Sequence, residues 1–269
     1  MLAKRLLTII VLLPVLVGLI AIGGWAYFLL ITLALGIAAW EYWNIFTQGG
    51  FRPARQVLVG GVVLLLLGRA ALDAEMQQML LAGLTLVAMG VSVFHYEQGW
   101  ERAASDFGVT MGGLVYLGWL GGFLISIRTL PDGLYWLMLV LPAVWLADGG
   151  AYLGGRRFGR HKMSQRVSPN KTWEGYAWGV AFSTLGCTLL ALLWQPYAHT
   201  IQPIHGLLLG LVLSVVAPLG DLGESMIKRQ LGVKDSGKLL PGHGGVLDRI
   251  DTWLWAAPIG FYLILFLWI

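Results

Sequence analysis

The chain has 269 residues, of which 57% are hydrophobic and only 12% charged, about half the charged share of a soluble domain. That balance excludes a water-soluble enzyme and an intrinsically disordered chain, and a single cysteine, Cys187, excludes a disulfide scaffold. What remains is an all-α integral membrane protein, and with a net charge of only +4 the positions of the charges matter more than their sum.

In chain order, residues 6–40 carry no charge. This run is too long for one span and suits two, turning near Gly23-Gly24. Lys4-Arg5 ahead of it is reminiscent of a signal peptide, but the apolar stretch runs on too far and lacks a small-x-small cleavage site, so a retained helix is expected. Apolar runs follow at 56–72, 77–95, 108–127, 134–154, 173–194, 203–221 and 252–269, most of them close to the roughly 20 residues that cross a bilayer core. Nine spans are therefore expected. About five lie in an N-terminal region, 1–130, and the rest in a C-terminal region, 131–269, with loops 155–172 and 222–251.

With the N-terminus in the cytoplasm and nine spans, sixteen of the 18 basic residues fall on the cytoplasmic side, leaving only Arg69 and Arg128 outside. The positive-inside rule thus favours an inward N-terminus and an outward C-terminus. Trp25, Trp40, Trp43, Trp100, Trp136 and Trp194 lie near span ends, where they suit interfacial anchoring.

Two windows concentrate the charge: residues 148–174 hold eight charged residues and residues 221–251 hold ten. Basic loops alone serve topology or anionic-lipid contact, but these windows mix carboxylates and glycines with the bases. Asp148 lies within an apolar span, where an ionisable group is costly and marks a functional candidate. Ser168-Pro169-Asn170-Lys171-Thr172 reads as a helix start, Ser168 capping and Pro169 first in the helix. Such a start suits a phosphate, and Lys171 there makes better sense with an anion present. In Gly220-Asp221-Leu222-Gly223-Glu224-Ser225-Met226-Ile227-Lys228-Arg229, a helix would put Asp221, Glu224, Ser225 and Lys228 on one stripe. The glycines around His243 suit a backbone nest for an anion. Asp248 and Asp251 are expected on one helical face, i and i+3, just before the last span. No His/Cys set has zinc spacing. Paired carboxylates beside lysines, arginines and a Gly-rich turn suit Mg²⁺-assisted phosphoryl or nucleotidyl transfer; ion conduction or transport uses the same residue types.

The run Ser225-x-Ile227-Lys228-Arg229-x4-Lys234-Asp235-x-Gly237-x2-Leu240-Pro241-x-His243-Gly244-Gly245-Val246-x-Asp248-Arg249-Ile250-Asp251 resembles the signature of the phosphatidate cytidylyltransferase (CDP-diacylglycerol synthase) family. Asp148-x-x-Ala151-Tyr152, the 168–172 segment and Gly220-Asp221 also look like family features. The resemblance is strong over the C-terminal half and rests on hydropathy alone over the N-terminal half. One departure is Gly149, where relatives often carry Ser or Thr. The resemblance implies the reaction CTP + phosphatidate giving CDP-diacylglycerol + pyrophosphate.

On that footing Asp221 and Asp248 are expected as principal Mg²⁺ ligands, with Glu224 and Asp251 as further ligands or as groups just behind the ligands. Lys171, Lys228, Arg229 and Arg249 would hold phosphates. Ser168, Asn170, Ser225 and Lys234 would contact substrate, and Asp148 would organise a second cation such as K⁺, or a lysine. His243-Gly244-Gly245 would cradle the triphosphate or the leaving pyrophosphate. CTP, phosphatidic acid and the bilayer are the implied partners, with no nucleic acid. Relatives suggest a homodimer, and the compact, short-looped chain suits a bacterial inner (plasma) membrane. A CTP-dependent polyprenol kinase and a non-catalytic ion transporter are the rival readings. A CDP-alcohol phosphotransferase is disfavoured because its Asp-Gly…Ala-Arg…Gly…Asp…Asp run is absent.

Overall fold

The computed structural model describes residues 14–239 and 244–268. Much of the first expected span, and His243, therefore lie outside the described residues. The elements run α1 (14–22), α2 (Gly24–Gln48), α3 (Gln56–Ala71), α4 (Ala74–Glu97), α5 (Ala103–Thr129), α6 (Gly133–Phe158), β1 (Lys162–Ser164), β2 (Ser168–Thr172), α7 (Trp173–Trp194), α8 (Pro203–Gln230) and α9 (Leu247–Leu267). The all-α expectation holds, save for one short hairpin. Among the described residues seven helices are long and apolar enough to cross a membrane, and α3 is apolar but shorter. Their outer faces are greasy: Leu86 is 74% exposed and Phe266 76%, which suits hydrocarbon and not water.

The charge-free run does divide at the glycine pair. Gly23 and Gly24 have φ of 68° and 53°, left-handed values that glycine adopts without Cβ strain. Other boundaries follow from capping. Asp73 accepts from the Met76 N–H at 2.8 Å to start α4, and Thr172 accepts from the Gly175 N–H at 3.2 Å to start α7, each cap worth about 1 kcal/mol.

The chain forms two compact units. One contains the described residues up to Ser126 together with Lys228–Ile250; the other contains Ile127–Ile227 and Asp251–Ile269. The loop 228–250 packs with the N-terminal helices. In that first unit Tyr27 of α2 donates to the Leu124 carbonyl of α5 at 2.9 Å. Tyr42, farther along α2, donates to the Val109 carbonyl, also on α5, at 3.3 Å.

In the second unit α6 and α7 pack through small residues: a Cβ at Gly179 would lie 2.6 Å from the Ala147 carbonyl oxygen. Such close approach drives helix association in lipid, where burial of apolar surface contributes little. Ser183 on α7 donates to carbonyls of Ala143 on α6 and Gly210 on α8 at 2.8 and 3.1 Å, which ties three helices together.

Two expectations are corrected. Ser168-Pro169 does not start a helix. Residues 168–172 form β2, antiparallel to β1 with Lys162 opposite Thr172 and Ser164 opposite Ser168. Proline suits an edge strand as well as a first helical turn, and the β-branched Thr172 takes the capping role four residues later. Nor do Asp248 and Asp251 share a continuous helical face. The Leu247–Ile250 turn ends before Asp251, and the helix resumes at Trp253.

Candidate active site

α8 runs past the expected end at 221 to Gln230, so Asp221, Glu224, Ser225 and Lys228 do lie on one helix at the stripe spacing. Within the second unit, Asp221 and Glu224 meet Asp251 from the start of α9. One ligand oxygen from each carboxylate lies within 4.8 Å of the others. Gly220 makes this possible. A Cβ there would sit 2.9 Å from the Asp251 carbonyl oxygen and 3.1 Å from the Thr252 Cα, so only glycine lets α8 approach that backbone.

Glu224 and Asp251 are buried, 3% and 6% exposed, while Asp221 is half-buried. Three carboxylates this close repel each other by roughly 3 kcal/mol per pair at an intermediate dielectric. Lys171, on β2, offsets part of this: its Nζ lies 2.5 Å from Asp221 Oδ2. Ser225 donates to Asp221 Oδ1 at 3.2 Å, and the Thr252 N–H donates to Asp251 Oδ1 at 2.7 Å. An all-oxygen, partly buried set of this charge fits a hard divalent cation.

Beside this cluster is a cavity of about 220 Å³. Asp148, Tyr152, Asn170, Lys171, Tyr176 and Pro218 line it together with alanines, glycines, Met163, Thr172 and Ser214. Asp148 lies well inside the span α6, as expected, and its side chain lines this cavity. Asn170 and Lys171 therefore join Asp148 around one space, with Ser168 at the far end of the same strand.

The first unit holds a second constellation. Lys228 Nζ donates to Asp248 Oδ1 at 2.5 Å, and both side chains are largely buried. Ser236 N–H donates to Asp248 Oδ2 at 3.0 Å and Gly245 N–H to the same oxygen at 2.8 Å. The N–H groups of Ser236 and Gly245 are thus given to a carboxylate of the protein itself. Gly244 has a φ of 81°, and after Gly245 the next two N–H groups, of Val246 and Leu247, donate to Glu41 on α2 at 3.1 and 2.8 Å. Arg229, Lys234 and Arg249 have exposed side chains. Glu41 escaped the sequence reading, although it is an acid embedded in an apolar helix, the same signal that drew attention to Asp148.

A profile of the cytidylyltransferase family matches residues 3–267, almost the whole chain. The chain belongs to the cytidylyltransferase family. It is accordingly an enzyme of nucleotidyl transfer. A phosphatidate cytidylyltransferase of Synechocystis sp. is 32% identical, over 98% of this chain and 97% of its own length. One of Brucella suis is 36% identical, over 96% and 91% respectively. One of Bacillus subtilis is 41% identical over 56% of this chain and 55% of its own length. In a cytidylyltransferase a carboxylate cluster has an evident use, since the family generally works with a divalent metal, and α8 and α9 supply such a cluster here.

Proposed function

We propose that this enzyme is a phosphatidate cytidylyltransferase, joining CTP and phosphatidate into CDP-diacylglycerol with release of pyrophosphate. The observation that carries the reading is the Asp221–Glu224–Asp251 group with Lys171 on its edge, in a chain similar end to end to proteins of that name.

The chemistry asks little of a general base. A phosphate monoester has its second pKa near ~6, so phosphatidate is largely dianionic at neutral pH. One of its oxygens bonds to the α-phosphorus of CTP, the bond from that phosphorus to the bridging oxygen breaks, and pyrophosphate leaves with the electron pair. The barrier is the approach of two polyanions. Asp221, Glu224 and Asp251 would hold Mg²⁺. When bound, that ion neutralises phosphate charge and polarises the phosphorus. Lys171 would exchange its contact with Asp221 for one with a phosphate oxygen.

Lys228, presented by Asp248, is the second proposed phosphate ligand, and Arg229, Lys234 and Arg249 add exposed positive charge for CTP. We assign Asp248 to holding Lys228, because its oxygens accept from that ammonium and from loop N–H groups. The mostly apolar cavity under Asp148 and Asn170 fits the glycerol end of a lipid. We further propose Mg²⁺ as the metal, the cytoplasmic face as the site's side, and a bacterial inner membrane as the location.

Purified protein given Mg²⁺, CTP labelled on its α-phosphorus, and phosphatidic acid should yield a labelled CDP-lipid and pyrophosphate. Release of CDP with a phosphorylated lipid would instead identify a CTP-dependent kinase, and no consumption of CTP would leave only transport.

A further inference from the structure

We propose that Glu41, on the second helix of the chain, is a positioning residue for the Asp248–Lys228 pair. The inference rests on the reading that this pair serves the reaction. Glu41 is 5% exposed and the one charged residue of its helix, a place where a carboxylate is costly unless its oxygens are filled. They are filled from one stretch of chain. Oε1 accepts from the Val246 N–H at 3.1 Å; Oε2 accepts from the Leu247 N–H at 2.8 Å and from Ser236 Oγ at 3.0 Å. Glu41 therefore grips the loop on both of its limbs, at Ser236 and at 246–247.

The same limbs hold Asp248. Ser236 gives its hydroxyl to Glu41 and its N–H to Asp248. Gly245 gives its N–H to Asp248, while the next two N–H groups go to Glu41. The two carboxylates are interleaved along one backbone, so the place of Glu41 fixes the donors that aim Asp248, and Asp248 aims the Lys228 ammonium. The fit is tight, because a Cβ on Gly245 or on Gly237 would collide with the Glu41 carboxyl. The N-terminal helices thereby take part in the chemistry through the loop they hold.

A carboxylate only accepts hydrogen bonds. In E41Q the amide nitrogen faces N–H donors, and at least one of them loses its acceptor. The test uses the full-length protein in lipid nanodiscs, with E41Q, S236A and D248N. Turnover is normalised to folded protein, and tryptic cleavage after Lys238, in the gripped loop, is followed alongside thermal unfolding. E41Q is expected to lower kcat about tenfold or more, with KM for phosphatidate changed less than about twofold, and to speed cleavage after Lys238. S236A removes one link only and covers the case of an E41Q that does not fold. It should lower kcat about threefold at unchanged Tm.

A lower Tm in E41Q with kcat per folded molecule unchanged, beside an inactive D248N, overturns the inference alone and leaves Glu41 a mere brace. Unchanged cleavage in both E41Q and S236A also overturns it. Wild-type turnover in D248N overturns the reading of the pair, and the inference with it.

Discussion

Lys171 on β2 and Asp221 on α8 form an ion pair, 2.5 Å from Nζ to Oδ2. The ammonium sits on the outer edge of the three-carboxylate group, where it partly compensates the charge that a cation would neutralise. The two cations therefore compete for Asp221. In K171M the carboxylates lose that compensation and bind Mg²⁺ more readily, while the phosphate loses its ammonium. Turnover should fall about 100-fold, on the scale of removing one transition-state charge contact, yet the Mg²⁺ concentration for half-maximal rate should fall too. A Mg²⁺ titration of wild type and K171M checks both signs.

Neutralising the carboxylates has the opposite effect on metal. D221N, E224Q and D251N should each raise the Mg²⁺ requirement, and chelation should abolish turnover of the wild type. A readout independent of activity is stability. A ligand bound only by the folded state stabilises it by about 2.7 kcal/mol at one hundred times its Kd, so Mg²⁺ should raise the wild-type Tm and leave D251N nearly unmoved. Equal shifts in the two proteins would remove Asp251 from the metal set.

Gly220 and Gly223 lie on the same helix and should respond differently. A Cβ at Gly220 would press on the backbone of Asp251 and Thr252, whereas one at Gly223 meets nothing within 4 Å. G220A should destabilise by about 1–3 kcal/mol, the usual range for overpacking, and lose activity because it separates Asp221 from Asp251. G223A should keep its activity and gain up to about 1 kcal/mol from better helix propensity. Thermal unfolding paired with turnover of the two variants separates the effects.

Much of this was legible in the sequence, and for identifiable reasons. Apolar runs of bilayer length give the helices, and the Gly23-Gly24 pair marks the break between α1 and α2. The i, i+3, i+4, i+7 spacing from Asp221 to Lys228 survives because α8 extends far enough to use it. The hairpin was not legible, since Ser-Pro fits a helix start and an edge strand alike; only the Thr172 cap decides between them. Glu41 was missed for a different reason. Its partners, Ser236, Val246 and Leu247, lie 195 to 206 positions away, and no local pattern links them. At Gly245 spacing alone does not tell a substrate anion from an internal carboxylate, and its N–H goes to Asp248.

The two ends of the second unit carry different chemistry, and that makes orientation testable. At one end Asp132, between α5 and α6, accepts from the N–H and hydroxyl of Thr200 at 3.0 and 2.9 Å, joining the loops before α6 and after α7. The Lys171–Asp221 pair joins the hairpin to α8. α6 and α7 have 26 and 22 residues, so each is about 33–39 Å long at 1.5 Å per residue, enough to cross a bilayer. Asp132 and Thr200 therefore belong to one face and the hairpin to the other. The basic hairpin loop, with Arg160, Lys162 and Arg166, should be cytoplasmic. The native Cys187 is buried and should stay silent to an impermeant maleimide. A cysteine placed in the hairpin by R166C should then label in inverted membrane vesicles and not in intact spheroplasts, and H199C, beside Thr200, should show the reverse. The opposite pattern at both positions would turn the protein over and move the carboxylate cluster away from cytoplasmic CTP.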